Sequence, residues 1–292
     1  MSDAAFLRSA PVTTDTTDPD YKPYDRGKLS YAATFTDPRR AAAIRVLEWL
    51  TGKARLLYLI RKFEREGVEE GPAFFSHALR VMGIRIDTPE DQIARIPTRG
   101  PCVLVANHPH GLVDGMVLAE LIGRVRSDFK ILTRSLLTGV PEIADHMIAV
   151  PFQHEPDARE RNLAMRQAAM EHLGAGGMVV LFPSGGVAAS ETWFGPAIEA
   201  DWNPFTAKMI RRSGATILPV HFEGRNSRAY QIANLVSPTL RQGLLLHEVV
   251  HALNRPQMPV IGTPIGPEEW QARSGNATEF MAWLRARTLA LR

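Results

Sequence analysis

The sequence predicts an α/β fold, with a mostly parallel central sheet flanked by helices and an amphipathic helical extension at the N-terminus. One observation is that, after Pro97, short apolar runs bounded by Gly, Pro and Asn alternate with helical patterns. A second is that hydrophobic residues before Pro97 recur near the 3.6-residue helical period. A third is the size and composition: 292 residues, 45% hydrophobic and 22% charged, suffice for one large core with a helical extension.

Residues 1–28 are rich in turn-forming and polar residues, and we expect them to form a flexible tail. The first 20 residues lack the basic start and apolar centre of a signal peptide. The next predicted region, residues 29–96, is helical and contains a segment from Pro38 to Glu66 in which basic residues lie between apolar ones. Gly52 is expected to divide this segment into two helices. Such a segment suits either of two roles, resting on an anionic bilayer or packing on the core with a solvated basic face.

Residues 97–292 are predicted to form the α/β domain itself. Apolar runs predict strands at 102–106, 129–133, 147–150, 178–182, 216–220 and 260–262. Helical patterns predict helices at 74–82, 112–121, 159–173 and 277–291, with a further helix ending at 207–212.

The overall charge, the single cysteine and the length of the apolar runs limit which partners, cross-links and membrane contacts are expected. The formal net charge of +3 and the pI of about 9.2 suit an anionic partner, whether a membrane surface, a phosphate-bearing carrier or nucleic acid. Because no basic motif is interleaved with aromatic residues, nucleic acid is not expected as a partner. Cys102 lies in an apolar run and is expected to be buried, and one cysteine cannot form a disulfide within the chain. No apolar stretch reaches the roughly 18–20 residues that span a bilayer, so membrane contact should be peripheral.

The segment Asn107-His-Pro-His-Gly-Leu-Val-Asp-Gly115 follows a predicted buried strand and precedes a predicted helix. Chemistry in α/β proteins concentrates at such strand ends. A carboxylate that accepts from one imidazole nitrogen fixes the tautomer, so the other nitrogen can remove a proton from a hydroxyl. Asp114 could instead cap a helix in an ordinary turn, or the histidines could bind metal. The compact His-x-His-x-Asp-His pattern of binuclear metallohydrolases is not met, and the spacing of His146, His154 and His221 does not indicate a metal site.

A second candidate segment, Phe182-Pro-Ser-Gly-Gly-Val-Ala-Ala-Ser190, begins where the predicted strand at 178–182 ends. Ser184 with Gly185 and Gly186 could bind an anion through backbone N–H groups, present a nucleophile, or simply form a tight turn. The nucleophile elbow of hydrolases is Gly-x-Ser-x-Gly, and Phe182 occupies its first glycine position.

Taken in order, these segments resemble the glycerolipid acyltransferase superfamily, which includes the lysophosphatidic acid acyltransferases, over residues 101–264. The first motif of that superfamily is an Asn-His run closed by an acidic residue. This chain is similar to a subgroup with the longer spacing Asn-His-Pro-x-Gly-x-x-Asp-Gly. The resemblance implies that His108 is the general base, that Asp114 orients it, and that Asn107 belongs to the binding site.

Three further motifs carry the resemblance. Lys130 to Arg134, followed by Gly139-Val-Pro141, resembles the second motif and implies anion contact by Arg134. The third motif normally reads Phe-Pro-Glu-Gly, but here Ser184 replaces the glutamate, leaving Ser184, Gly185 and Gly186 as binding candidates. The fourth, an apolar strand ending near Pro219, implies that Arg225 and Asn226 also face the site.

The resemblance implies an O-acyltransferase that moves a fatty acyl group from acyl-CoA or acyl carrier protein to a lysolipid hydroxyl, with no metal or other cofactor. The acceptor would be lysophosphatidic acid or a lyso-aminolipid such as a lyso-ornithine lipid, and the serine at position 184 favours the aminolipid. We expect a cytoplasmic protein held peripherally on the inner face of the membrane. Two other interpretations stay open: a hydrolase that uses Ser184 or a metal, and a non-catalytic lipid-binding protein.

Overall fold

The structure is a computed structural model that describes residues 13–14, 21–134, 140–151 and 157–291. Its strands are β1 (Thr13–Thr14), β2 (Val68–Glu69), β3 (Cys102–Ala106), β4 (Phe129–Thr133), β5 (Met147–Ala149), β6 (Met178–Leu181), β7 (Ala189–Ser190), β8 (Ala197–Ile198), β9 (Thr216–His221) and β10 (Val260–Ile261). Its α-helices are α1 (Pro38–Glu48), α2 (Ala54–Arg65), α3 (Pro72–Val81), α4 (Glu90–Ile93), α5 (Leu112–Gly123), α6 (Ala158–Gly174), α7 (Pro204–Ser213), α8 (Arg228–Val236), α9 (Pro238–Gly243), α10 (Leu245–Ala252), α11 (Pro267–Trp270) and α12 (Ala277–Leu289).

The central sheet has the strand order β10-β9-β3-β6-β4-β5, and the predicted α/β class with a mostly parallel sheet is confirmed. Only β10, at one edge, runs antiparallel to its neighbour within this sheet. Val105 in β3 pairs with Leu181 in β6 and with Pro219 in β9. The carboxyl ends of these three strands therefore lie side by side, which brings together the loops that follow them.

Both faces of the sheet are covered, as the continuous apolar strands predict. Alternate residues of β3 point to opposite faces: Leu104 joins the core formed with α3 and α5, and Val103 joins the core formed with α6, α7 and α12. Cys102 is buried as expected, and burial raises the pKa of its thiol to about 12. This thiol is therefore core filling at neutral pH.

The helical extension forms as predicted, with α1 and α2 joined by a π-helical turn at Trp49–Lys53 that contains Gly52. Buried residues of this region, including Ile44 and Leu56, share a core with Leu246 and Val249 of α10. The predicted tail lies mostly outside the described residues, and its last part, from Tyr21, contacts Glu64 of α2 through the Tyr24 N–H at 2.7 Å. The proposed domain boundaries at 28/29 and 96/97 stay predictions.

Three consecutive helices, α8, α9 and α10, were not predicted from the sequence. The short antiparallel hairpin β7–β8 was also missed. Differences elsewhere are small: β6 ends at Leu181 rather than 182, and β9 continues to His221 because that residue pairs with Val260 of β10. Within the described residues, no helix has the length and apolar character needed to cross a membrane.

Candidate active site

The loop after β3 is attached firmly to the end of β9. The side-chain amide of Asn107 donates to the carbonyl of Phe222 at 2.8 Å, and the Phe222 N–H donates to Asn107 Oδ1 at 2.7 Å. Asn107 is buried, and its amide is used by this backbone pair. The contacts that it makes fix the path of the chain leading to His108, and its predicted role in substrate binding stays a prediction.

Asp114 is fully buried in the first turn of α5 and accepts three hydrogen bonds. His108 Nδ1 lies 3.0 Å from Asp114 Oδ2, His110 Nδ1 lies 3.0 Å from Oδ1, and the His110 N–H donates to Oδ2 at 2.9 Å. The turn that makes this possible depends on Gly111, whose φ of +68° and ψ of −128° are accessible almost only to glycine. Two imidazoles thus share one carboxylate, where the sequence analysis assigned it to His108 alone.

The electrostatics of this cluster favour an ionised Asp114. Burial alone would raise its pKa, but the hydrogen bonds from His108 and His110 outweigh that effect and lower the pKa below its ordinary value. For His110, burial lowers the pKa, and the hydrogen bond and charge of Asp114, with a smaller contribution from Glu248, raise it overall. The cluster therefore keeps a negative charge against the two rings at neutral pH.

Only one of the two histidines lines the large cavity that opens beside the strand ends. The cavity has a volume of about 1370 Å³, and its wall includes His108 but not His110. The His108 ring stacks on Phe182, with ring centroids 3.8 Å apart and an interplanar angle of 22°. His110 instead packs under Gly224, where a Cβ would lie 2.6 Å from its Nε2. Since Nδ1 of His108 faces Asp114, Nε2 is the nitrogen left for a substrate in the cavity.

The turn after β6 forms another part of the cavity wall through Gly185 and Gly186. Gly185 has a φ of +68°, and its N–H donates to the carbonyl of Phe182 at 3.0 Å. Ser184 is not among the lining residues; its hydroxyl donates to the carbonyl of Gly186 at 2.9 Å and contacts the carboxylate of Glu199. Ser184 thus holds the turn together rather than pairing with a histidine as a nucleophile does.

Glu199 is a buried residue of the site that the sequence analysis did not identify. Its carboxylate accepts from the N–H of His108 at 3.2 Å and from Trp202 Nε1 at 3.1 Å, besides its contact with Ser184. Burial raises the pKa of Glu199, although these hydrogen bonds oppose the rise. The carboxylate joins the loop after β3 to the turn after β6. A glutamate is therefore present behind the third motif, but it comes from a position 15 residues further along the chain than Ser184.

The remaining candidates divide between the cavity and its surroundings. Arg134 is exposed at the end of β4 and lines the cavity, whereas the residues between it and Val140 lie outside the described part of the chain. Arg225 is exposed and lies outside the cavity wall. Asn226 is buried; with its amide oriented to satisfy both groups, it donates to the carbonyl of Pro109 at 3.2 Å and to Glu248 Oε2 at 3.3 Å. Like Asn107, it supports the histidine loop from behind.

No metal site is found among the described residues, where no group of three or more His, Cys, Asp or Glu is arranged to hold an ion. His146 Nδ1 lies 3.1 Å from the carbonyl of Phe129, and His221 Nδ1 lies 2.7 Å from that of Leu291. His154, the third histidine considered for a metal site, lies outside the described residues.

Curated proteins resemble about half of this chain in sequence. It is 27% identical over 146 residues to a lyso-glycine lipid O-acyltransferase of Phocaeicola vulgatus, covering 49% of this chain and 50% of that protein. It is 29% identical over 146 residues to the enzyme of the same name from Bacteroides thetaiotaomicron, covering 49% and 51%. The matched region thus spans about half the length of these curated relatives.

A solved structure, the 1-acyl-sn-glycerophosphate (LPA) acyltransferase PlsC of Thermotoga maritima, superposes with a TM-score of 0.47 and 13% identity, over 88% of this chain and 82% of that one. The family profile described as acyltransferase matches residues 34–256, well over half of the chain, including the shared Asp114 cluster and the turns after β6 and β9. The match to this family profile confirms the resemblance seen in the motifs, and the chain belongs to the acyltransferase family.

Proposed function

We propose that the protein is an O-acyltransferase that moves a fatty acyl group from a thioester to the hydroxyl of a lysolipid. The observation that carries this proposal is the placement of His108, which lies between the fully buried Asp114 and a cavity of about 1370 Å³. That volume exceeds the roughly 300–1,000 Å³ of a typical small-molecule site, as expected for a cavity that holds an acyl chain together with an acceptor.

His108 acts as the general base in a direct transfer. Its Nε2 takes the proton of the acceptor hydroxyl while the hydroxyl oxygen attacks the thioester carbonyl. The new C–O bond forms, the C–S bond breaks, and the thiolate leaves with the proton returned from the imidazolium. Asp114 holds Nδ1 as the donor and stabilises the imidazolium that exists between these steps. Base assistance of this kind is worth about 10²–10⁴-fold in rate.

The turn after β6 is the candidate for stabilising the oxyanion. Gly186 lines the cavity near His108, and its carbonyl is fixed by the Ser184 hydroxyl at 2.9 Å. Because the Gly185 N–H already donates to Phe182, we assign the contact with the developing oxyanion to the N–H of Gly186. The absence of a Cβ at this position lets a substrate carbonyl approach the backbone closely.

For the acceptor we propose a lysolipid whose headgroup is an amino acid. The cavity wall carries both apolar side chains and arginines, the latter being Arg134, Arg159, Arg166 and Arg241. Guanidinium groups bind carboxylates in bidentate geometry, so they suit an amino-acid headgroup as well as a phosphate. The serine in the third motif and the names of the two curated relatives favour the aminolipid. The donor is acyl-CoA or acyl carrier protein, and no further cofactor is proposed.

We also propose that the enzyme works peripherally on the inner, cytoplasmic face of the membrane. In α1 and α2 the packed residues face α10, while Arg39, Arg45 and Arg55 are exposed. Exposed basic side chains near an anionic bilayer contribute about 1 kcal/mol each to binding. Replacing Arg39 and Arg45 by Glu is expected to weaken flotation of the protein with anionic vesicles and to leave neutral vesicles unaffected. Unchanged flotation would remove these helices from the membrane contact.

The test of the activity is a transfer assay followed by mass spectrometry. Purified protein is incubated with acyl-CoA or acyl carrier protein, in parallel with a lyso-glycine lipid, a lyso-ornithine lipid and lysophosphatidic acid. A diacyl product that is absent with His108→Ala supports the proposal, and the preferred acceptor identifies the branch. Thioester consumption without a diacyl product would favour a hydrolase instead. No consumption with any donor would favour a lipid-binding protein.

A further inference from the structure

The hairpin β7–β8 presents two aromatic rings to solvent at its turn. Trp193 is 54% exposed and Phe194 is 87% exposed, and Ile198 at the base of the hairpin is also exposed. Turns at the surface of soluble proteins usually carry Gly, Pro, Asn, Asp or Ser, because these residues adopt turn conformations easily or form hydrogen bonds with the turn backbone. Trp and Phe at an exposed turn are instead typical of segments that enter the interfacial layer of a bilayer, where an aromatic ring is partly freed from water.

The hairpin lies at one end of a series of packed elements, each of which exposes large hydrophobic side chains. It packs against α8, α8 packs against α9, and α9 packs against α1. Exposed large hydrophobic residues occur on every one of these elements and on the π-helical turn after α1; besides the hairpin residues they are Val46, Trp49, Leu50, Ile232, Val236 and Leu240. These residues and the hairpin together are called the apolar band. Scattered single hydrophobic residues need no explanation, but a set carried by adjoining elements does.

The charges within these helices have one sign at the surface. The basic residues of α1, α8 and α9 are Arg39, Arg40, Arg45, Arg228 and Arg241. The one acidic residue of the three helices is Glu48, which is fully buried and accepts from Ser30 and from the Tyr31 N–H. The hairpin turn carries one exposed acidic residue, Glu191, so the positive charge of this surface lies on the exposed arginines of α1 and α8. Exposed apolar side chains on elements that also carry exposed arginines are complementary to an anionic lipid bilayer, and this basic surface repels another copy of itself.

The apolar band also borders the cavity that contains His108. Tyr230 of α8 and Pro238 and Gln242 of α9 line the cavity, and so does Gly186 just before β7. Arg228 fixes the hairpin to α8, because its guanidinium donates to the carbonyl of Gly195 at 3.2 Å. The elements that carry the band therefore also form one wall of the space in which an acceptor lipid would lie.

We infer that the β7–β8 hairpin inserts Trp193 and Phe194 into the interfacial layer of an anionic bilayer and that the apolar band rests on its surface. The hairpin would add a membrane contact to that of the basic residues of α1 and α2, and it would place the cavity next to the lipid from which an acceptor enters. The purpose of this contact rests on the proposed lysolipid activity, whereas the contact itself does not.

The test compares the full-length protein with the double variant W193S/F194S. A matched control is Met258→Ser, since Met258 is 62% exposed but lies outside the apolar band and outside the cavity wall. Partition is measured by co-sedimentation with phosphatidylcholine vesicles that contain or lack phosphatidylglycerol. Loss of two large apolar contacts should lower partition by at least about tenfold in the double variant. The control should match the wild type.

Activity is measured in parallel with a short-chain lysolipid dissolved as monomers. The double variant should keep its rate with this acceptor, since neither residue lines the cavity, and should lose rate with acceptor presented in vesicles. Equal partition of wild type and double variant would overturn the inference. So would a wild-type dimer that becomes monomeric in the double variant with vesicle binding unchanged, because the band would then cover a second copy. Lost partition in a protein without transfer activity would reject the proposed function and keep the membrane contact.

Discussion

Replacing Asp114 by Asn tests the electrostatic part of the mechanism, because the substitution keeps the shape and removes the charge. Asp114 Oδ2 accepts from the His110 N–H and from His108 Nδ1, while Oδ1 faces only His110 Nδ1. The backbone N–H of His110 can only donate, so the side-chain oxygen of the Asn must take the position of Oδ2. The Asn amide then faces His110, whose ring can change tautomer. His108 therefore keeps Nδ1 as donor and Nε2 as acceptor.

What Asp114→Asn loses is the negative charge beside the imidazolium in the transition state. A hydrogen bond to a charged group is worth about 1.5–3 kcal/mol, roughly twice a neutral one, and the fully buried position of Asp114 limits screening by water. Because the Asn keeps a neutral hydrogen bond worth about half as much, about 0.75–1.5 kcal/mol is lost. At about 1.4 kcal/mol for each tenfold, kcat should fall by about 3–12-fold. In His108→Ala, which removes the base altogether, kcat should fall by about 10²–10⁴-fold.

The assay is steady-state transfer with acyl-CoA or acyl carrier protein and the acceptor preferred by the wild type, with far-UV circular dichroism to confirm folding. Since the charge matters in the transition state, kcat should change and KM should change little. A folded Asp114→Asn variant with wild-type kcat would refute the reasoning, because the shared carboxylate would then have only a structural role.

Three further substitutions test the surroundings of the histidines. His110→Asn keeps a donor towards Asp114 but removes a titratable ring. Because the folded pKa of His110 is raised, its stabilisation is fully present below its unfolded pKa of about 6.5 and is lost as pH rises through the folded pKa. In urea unfolding between about pH 5.5 and 9, the stability of the wild type relative to His110→Asn should therefore fall as pH rises, and a constant difference would contradict the raised pKa. Gly224→Ala places a Cβ 2.6 Å from His110 Nε2 at a φ of +108°, so thermal melts should show destabilisation by about 1–3 kcal/mol, and an unchanged melting temperature would contradict that contact. Glu199 has a raised pKa through burial, so the wild type should lose stability relative to Glu199→Gln as pH rises from about 4.3 through the folded pKa; parallel curves for the two proteins would show that Glu199 is ionised as in water.

The sheet was largely predictable because buried parallel strands read as continuous apolar runs. Cys102–Ala106 and Phe129–Thr133 form as predicted, and the helix patterns between strands differ from the observed helices by one or two residues at most ends. The segment from Arg228 to Ala252 was not assigned because its helices are short and are separated by the single residues Ser237 and Leu244 rather than by loops. At nine, six and eight residues, these helices are too short for a 3.6-residue period to repeat more than about twice, so the helical pattern is weak in the sequence.

The site was predictable where motif residues are close in sequence and unpredictable where contacts come from distant segments. The pairing of His108 with Asp114 follows from spacing around one turn of chain. The contact of Glu199 with the His108 N–H joins residues that are 91 positions apart, and nothing in the hairpin sequence indicates it. Sequence spacing likewise could not separate His108 from His110, since both rings reach Asp114 and only their positions relative to the cavity differ.

The proposed role of His108 in acyl transfer to a lysolipid hydroxyl is tested by product formation in the wild type, His108→Ala and His110→Ala, with a lyso-glycine lipid and a thioester donor. We expect a diacyl product with the wild type, a loss of at least about 10²-fold with His108→Ala and a smaller loss with His110→Ala, all three proteins being folded by circular dichroism. A folded His108→Ala protein that forms the diacyl product at the wild-type rate would show that His108 is not the catalytic base.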